Sequence, residues 1–109
     1  MARGEVWSDQ EIRTALDSYF SMMLLEIHGV RYKKSDVSAA AASLLPGRSR
    51  KSIEFKWCNI SAILEGHGLR RIEGFKPLRN YQQRLEELTA LWLMQHPYLS
   101  SMLAQDGAK

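Results

Sequence analysis

Cysteine occurs once in this chain, at Cys58, which excludes an intrachain disulfide. No apolar run approaches the ~20 residues that a membrane-spanning helix needs, and no charged-then-apolar opening reads as a secretory signal. Together with the lone thiol, these absences predict a cytoplasmic protein that does not engage membrane. Histidine is equally sparse. His28, His67 and His96 fall on separate segments with no carboxylate or Cys at metal-ligand spacing. Cys58 and His67 form no zinc pattern, no Gly-rich loop follows a strand, and neither a nucleophile motif nor a His-Asn-His nuclease signature is present. No metal, cofactor or catalytic constellation is therefore expected of this chain. Internal repeats and low-complexity tracts are also absent.

The 109 residues predict a single domain with one core. The net charge of +3 is modest, but its distribution is uneven. Residues 31–84 carry 12 Lys/Arg against 4 Asp/Glu, whereas residues 1–30 carry 2 against 5 and residues 85–109 carry 1 against 3. A basic middle between acidic ends predicts one face that meets a polyanion.

The most unusual chemistry lies between Leu44 and Ile60. Pro46-Gly47 signals a turn, and Ser49 is placed to cap the helix that follows. Ile53, Trp57, Ile60 and Leu64 recur at helical spacing and mark its buried face. Its first turn carries Arg50 and Lys51, with Arg48 just before, although the helix dipole favours acids there. A docked phosphate removes that conflict; three cations solubilising a surface turn account for the same pattern.

Before this stretch, Trp7 and the capping box Ser8-x-x-Glu11 open a helix over Asp9–His28, with Ile12, Leu16, Tyr19, Phe20, Met23 and Ile27 at helical period. Met22, Leu24 and Leu25 widen its apolar stripe. Gly29 stops it, and Ser35 is the expected cap of a second helix through Leu45, with Asp36 on its dipole. The third helix runs from Arg50 to Glu65. Residues 66–80 form a long connection containing Arg70, Arg71, Lys76 and Arg79, of the kind that is functional or mobile. Asn80 is the expected cap of a fourth helix with Tyr81, Leu85, Leu88, Leu91 and Trp92 inward. His96-Pro97 interrupts it, and Tyr98–Leu103 forms a short helical segment before a frayed tail. The expected organisation is all-α: a helix-turn-helix core over 7–66, a basic loop over 67–80 and a C-terminal helical segment over 81–104. Trp7, Tyr19, Phe20, Trp57 and Trp92 belong to the core. Phe55 lies off the Ile53–Trp57 face, so it packs under the 66–80 loop or meets a partner.

Trp7 at the start, Leu45-Pro46-Gly47-Arg48-Ser49 opening the third helix, and Trp57 within it resemble a Myb/SANT-type helix-turn-helix. That resemblance implies a three-helix core whose third helix docks on DNA. The positions that would touch bases fall on Glu54, Phe55 and Cys58, which cannot repeat the Lys and Asn contacts of DNA-binding Myb repeats. A second resemblance spans Trp7 to about Gln82. Residues 46–49 (Pro-Gly-Arg-Ser), 52–56 (Ser-Ile-Glu-Phe-Lys), 59–62 (Asn-Ile-Ser-Ala), 74–77 (Gly-Phe-Lys-Pro) and 80–82 (Asn-Tyr-Gln) resemble the N-terminal head of McrA-like, modification-dependent HNH endonucleases, with Trp57-Cys58 departing from its pattern. It implies a non-catalytic head within a longer DNA-acting enzyme.

Two functions are thus expected. In the first, the chain binds double-stranded DNA through Arg48, Ser49, Arg50, Lys51 and Lys56 of the third helix, with Lys33, Lys34, Arg70, Arg71, Lys76 and Arg79 on flanking phosphates. In the alternative it is a SANT-type protein-interaction or dimerisation module. Its first and fourth helices then meet a second copy or a downstream domain.

Overall fold

The computed structural model describes residues 6–107, excluding the side chains of residues 105–107. Among them the chain forms five helices and no strand: α1 (Asp9–Ile27), α2 (Lys34–Ser43), α3 (Arg50–Gly66), α4 (Gln83–Gln95) and α5 (Pro97–Gly107). No helix among the described residues is long and apolar enough to cross a membrane. Met1 to Glu5, and Ala108 and Lys109 of the expected tail, lie outside the described residues.

Local chemistry sets the ends of α1 and α3. The Ser8 hydroxyl accepts from the Glu11 N–H at 3.1 Å, and the Ser8 N–H donates to the Glu11 carboxylate at 2.9 Å, so the capping box satisfies two otherwise orphaned donors. Gly47 takes φ +87° in the turn between α2 and α3, a conformation that a side chain would strain. Ser49 then caps α3 by accepting from the Ser52 N–H at 3.1 Å. At the other end, Gly68 takes φ +71°. The Leu69 N–H donates to the Leu64 carbonyl and the Gly68 N–H to that of Glu65, closing a Schellman turn.

The other boundaries depart from the sequence reading. Ser35 is not the cap of α2: the cap is Lys33, with no side-chain hydrogen bond, and the helix ends at Ser43, before Leu45. Nor does Asn80 cap α4. Gln82 holds that position, and its side chain is used elsewhere: it accepts from the Trp7 N–H at 3.3 Å and donates to the Trp7 carbonyl at 3.4 Å. The segment expected over Tyr98–Leu103 is a full helix, Pro97–Gly107. Pro97 suits its first position because no intrahelical donor is needed there.

α3 lies at the centre, packed against α1, α2 and α4, while α4 also contacts α1 and α5. Trp57 is fully buried and donates its indole N–H to the Ala15 carbonyl of α1 at 3.2 Å. Tyr19, also fully buried, ties three elements together. Its hydroxyl lies 2.8 Å from the Ser61 hydroxyl and accepts from the Ile72 N–H at 2.9 Å. Burial pushes its phenol up to about 12.

The connection from His67 to Gln82 is therefore fastened down. Phe75 is buried with its ring 5.2 Å from Trp57, and the Leu78 N–H donates to the Cys58 carbonyl at 3.1 Å. The Asn59 amide donates to the carbonyls of Leu78 and Asn80. From the opposite side, the Arg70 N–H donates to the Leu103 carbonyl of α5 at 3.2 Å. Among the described residues no buried side-chain nitrogen or oxygen lacks a hydrogen-bond partner.

The broad apolar stripe of α4 is partly explained by α5, which folds back on it and buries Leu99 and Leu103. Leu85 and Leu88 are buried, but Leu91, expected inward, is exposed. Trp92 stands at the core's rim rather than inside it. One face stacks on Phe20 at 4.1 Å, the other on His96 at 3.6 Å, and its N–H donates to the exposed carboxylate of Asp17 at 2.9 Å.

Candidate nucleic-acid interface

The eleven residues expected to meet DNA fall into three physical groups. The first belongs to the fold. Arg48 is buried, its guanidinium 4.7 Å from the Trp7 ring centre, and donates to both carboxylate oxygens of Glu11, at 3.1 and 3.0 Å. Lys56 is buried on the same indole, its amine 4.8 Å from the ring centre. Burial, then repulsion from Arg48, lowers the pKa of that amine. Neither cation stands on the outer surface of α3, as the sequence reading expected. Trp7 gathers them because an indole face attracts cations. Ser49 is likewise occupied in capping α3.

The second group consists of paired surface arginines. Arg70 meets Glu26 at 3.6 Å, and Arg71 and Arg79 share Glu65 at 3.6 and 2.9 Å. Arg71 also donates to the carbonyls of Ile72, Glu73 and Phe75, so it shapes its own loop. A phosphate at these arginines would have to displace a carboxylate.

The third group is different. Lys33, Lys34, Arg50, Lys51 and Lys76 are all exposed, and no carboxylate among the described residues lies within ion-pair distance of them. Lys34 donates to the Gly74 carbonyl at 3.1 Å and its amine sits 4.9 Å from the Phe75 ring centre, linking the start of α2 to the loop. A Cβ on Gly74 would come within 3.0 Å of that amine, so the lack of a side chain permits the approach.

Two of these cations open the outer strip of α3, and the other three stand on the start of α2 and on the loop. Arg50 and Lys51 stand in the first turn of α3, which contains no acid. Glu54, Phe55 and Cys58 follow one and two turns on, with Phe55 51% exposed. Lys34 is held against the loop that packs on α3, through the Gly74 carbonyl and the Phe75 ring. Desolvation raises the Cys58 thiol pKa. Leu78 flanks the Cys58 end of the strip through its hydrogen bond to the Cys58 carbonyl. At 1.5 Å per residue, the strip from Arg50 to Cys58 is about 12 Å long.

The Glu11–Arg48 contact carries a pH signature. The Arg48 hydrogen bond holds the Glu11 carboxylate below its usual range. A carboxylate depressed in the folded state contributes stability above its unfolded pKa and loses that contribution as pH falls through the folded value. Glu11→Gln should therefore melt earlier than the parent near neutrality. The gap between the two melting temperatures should narrow as the pH falls below about 4.

A second feature lies between α1 and the α4–α5 junction. An open groove of about 740 Å³ is lined by Phe20, Leu24, Trp92, His96, Tyr98 and Met102, among others. Of these, Leu24 and Tyr98 are exposed, and Leu91 and Met94 of α4 are exposed as well. Met22, one of the residues that widen the apolar stripe of α1, is buried inside the monomer. Among the described residues no three His, Cys, Asp or Glu side chains stand together as a metal-ion cluster. Compared with known protein families, curated proteins and solved structures, the chain matches none.

Proposed function

We propose that this chain is a non-catalytic module that binds double-stranded DNA along the outer strip of α3, and that it heads a longer protein of the McrA-like HNH endonuclease type. One observation carries the reading: Arg50 and Lys51 in the first turn of α3, and Lys33, Lys34 and Lys76 on the start of α2 and the loop, are exposed and lack carboxylate partners among the described residues. The nearby arginines of the loop, in contrast, each lie against a carboxylate, Arg70 against Glu26 and both Arg71 and Arg79 against Glu65. A strip about 12 Å long matches the width of the B-DNA major groove, so the cations that open it would meet phosphates at the groove's rim. The exposed N-terminus of α3 adds its dipole to Arg50 and Lys51. Further support comes from the order of α1, α2 and α3, with Trp7 and Trp57 buried among them, as in the Myb/SANT arrangement that the sequence resembles.

The test compares unpaired with paired cations. Lys33→Gln/Lys76→Gln should reduce the slope of log K against log salt by about 1.8, or 0.9 for each lost phosphate contact. Arg79→Gln, which removes a cation already paired with Glu65, should change that slope less. Equal effects from the two variants would refute the assignment.

The groove favours a second reading, in which α1 and α4 form a protein-interaction surface, either in a homodimer or against a following domain. Tyr98, 87% exposed, lines the groove beside Leu24, which is exposed as well. Light scattering across a concentration series should then show the mass rising toward that of a dimer. A constant monomer mass eliminates the homodimer.

A further inference from the structure

The outer strip of α3 contains cations in its first turn but no hydrogen-bonding amide or guanidinium at its middle. Asn59, the one amide on this helix, is buried and spends its NH₂ on the carbonyls of Leu78 and Asn80. Arg48 and Lys56 are committed to Trp7. What the middle offers is Phe55, 51% exposed. An aromatic ring left in water one turn beyond the exposed cations Arg50 and Lys51 is buried when a polyanion docks on them, and the burial favours an apolar partner. In the major groove the apolar group on a base edge is the C5-methyl of thymine.

We propose that Phe55 reads thymine methyl groups, so that the module prefers thymine-bearing duplex through an apolar contact rather than base hydrogen bonds. This inference rests on the DNA-binding reading above. The exposed cations fix the register on phosphates, and Phe55 supplies discrimination. Glu54 beside it disfavours phosphate at the strip's centre.

The test uses the full chain and two 20-base-pair, A·T-rich duplexes, identical except that uracil replaces every thymine in one. Uracil keeps the charge and the hydrogen-bonding edge and removes only the methyl. The parent should bind the thymine duplex about fourfold more tightly for each methyl contacted, the equivalent of one buried CH₂. Phe55→Ala, at an exposed position, should retain the parent's melting temperature and salt slope but bind both duplexes alike. Equal binding of the two duplexes by the parent, with the salt slope intact, overturns the methyl reading and leaves DNA binding standing. A thymine preference that survives in Phe55→Ala also overturns it. The absence of salt-dependent binding to either duplex overturns both, and Phe55 is then the anchor of a protein partner.

Discussion

Arg50→Glu/Lys51→Glu is expected to lose at least a hundredfold in duplex affinity at moderate salt while melting at or slightly above the parent temperature. The two effects have opposite signs because they come from different interactions. In the free protein Arg50 and Lys51 stand in the first turn of α3, which contains no acid, so they oppose the positive end of the helix dipole. Both are exposed, and neither has a carboxylate partner among the described residues, so their removal breaks no contact that holds the fold. Glutamates there complement the dipole. In the complex the same change deletes two phosphate contacts and places two negative charges against the backbone. Gel shift and thermal melting on one preparation separate the effects. A folded double variant with parental affinity would move the interface away from α3.

Trp57→Ala should do the reverse and cost about 3–5 kcal/mol of stability. The side chain is fully buried, touches the Phe75 ring across 5.2 Å and fastens α3 to α1 through its indole N–H. For a domain of this size that is a loss of about 15–30 °C in melting temperature. Because Phe75 anchors the loop that Lys34 also holds, the variant should loosen residues 72–78 as well as α3. Any loss of DNA binding should track the unfolded fraction and be restored by cooling. Full affinity lost in a fully folded Trp57→Ala would contradict a purely structural role.

The elements most legible in the sequence were those whose ends are fixed by neighbouring residues. Ser8 with Glu11, Ser49 with Ser52, and the glycines at 47 and 68 act within a few residues, and they placed α1 and α3 correctly. Where a tertiary contact claims the capping residue, local logic fails. Gln82 binds Trp7 and the Asn80 carbonyl receives Asn59, so the start of α4 moved away from the residue with the better capping propensity. The small, weakly patterned α2 carried too little periodicity to fix its boundaries. α5 is longer than its sequence promised because packing, more than propensity, holds it: Leu99 and Leu103 are buried, and the Leu103 carbonyl takes the Arg70 N–H.

For the interface, composition identified the basic segment but not which charges in it remain unspent. Arg48 and Lys56 read as surface cations until Trp7 arrives across them from the start of the chain. Arg71 and Arg79 read as free until the loop runs back past Glu65. Both outcomes depend on contacts distant in sequence, which neither spacing nor charge counting records. Phe55 is the instructive opposite. Its position off the buried face of α3 was visible from helical period alone, and it is exposed rather than covered by the loop.

The central claim is that five exposed cations, none with a carboxylate partner among the described residues, dock α3 on duplex DNA, and salt titration tests it most directly. With the parent chain and a fixed duplex, log K should fall linearly with log salt at a slope near −4.5 for about five neutralised phosphates, equivalent to roughly 500-fold weaker binding at 200 mM than at 50 mM salt. Affinity independent of salt, or no binding at 50 mM, would contradict it.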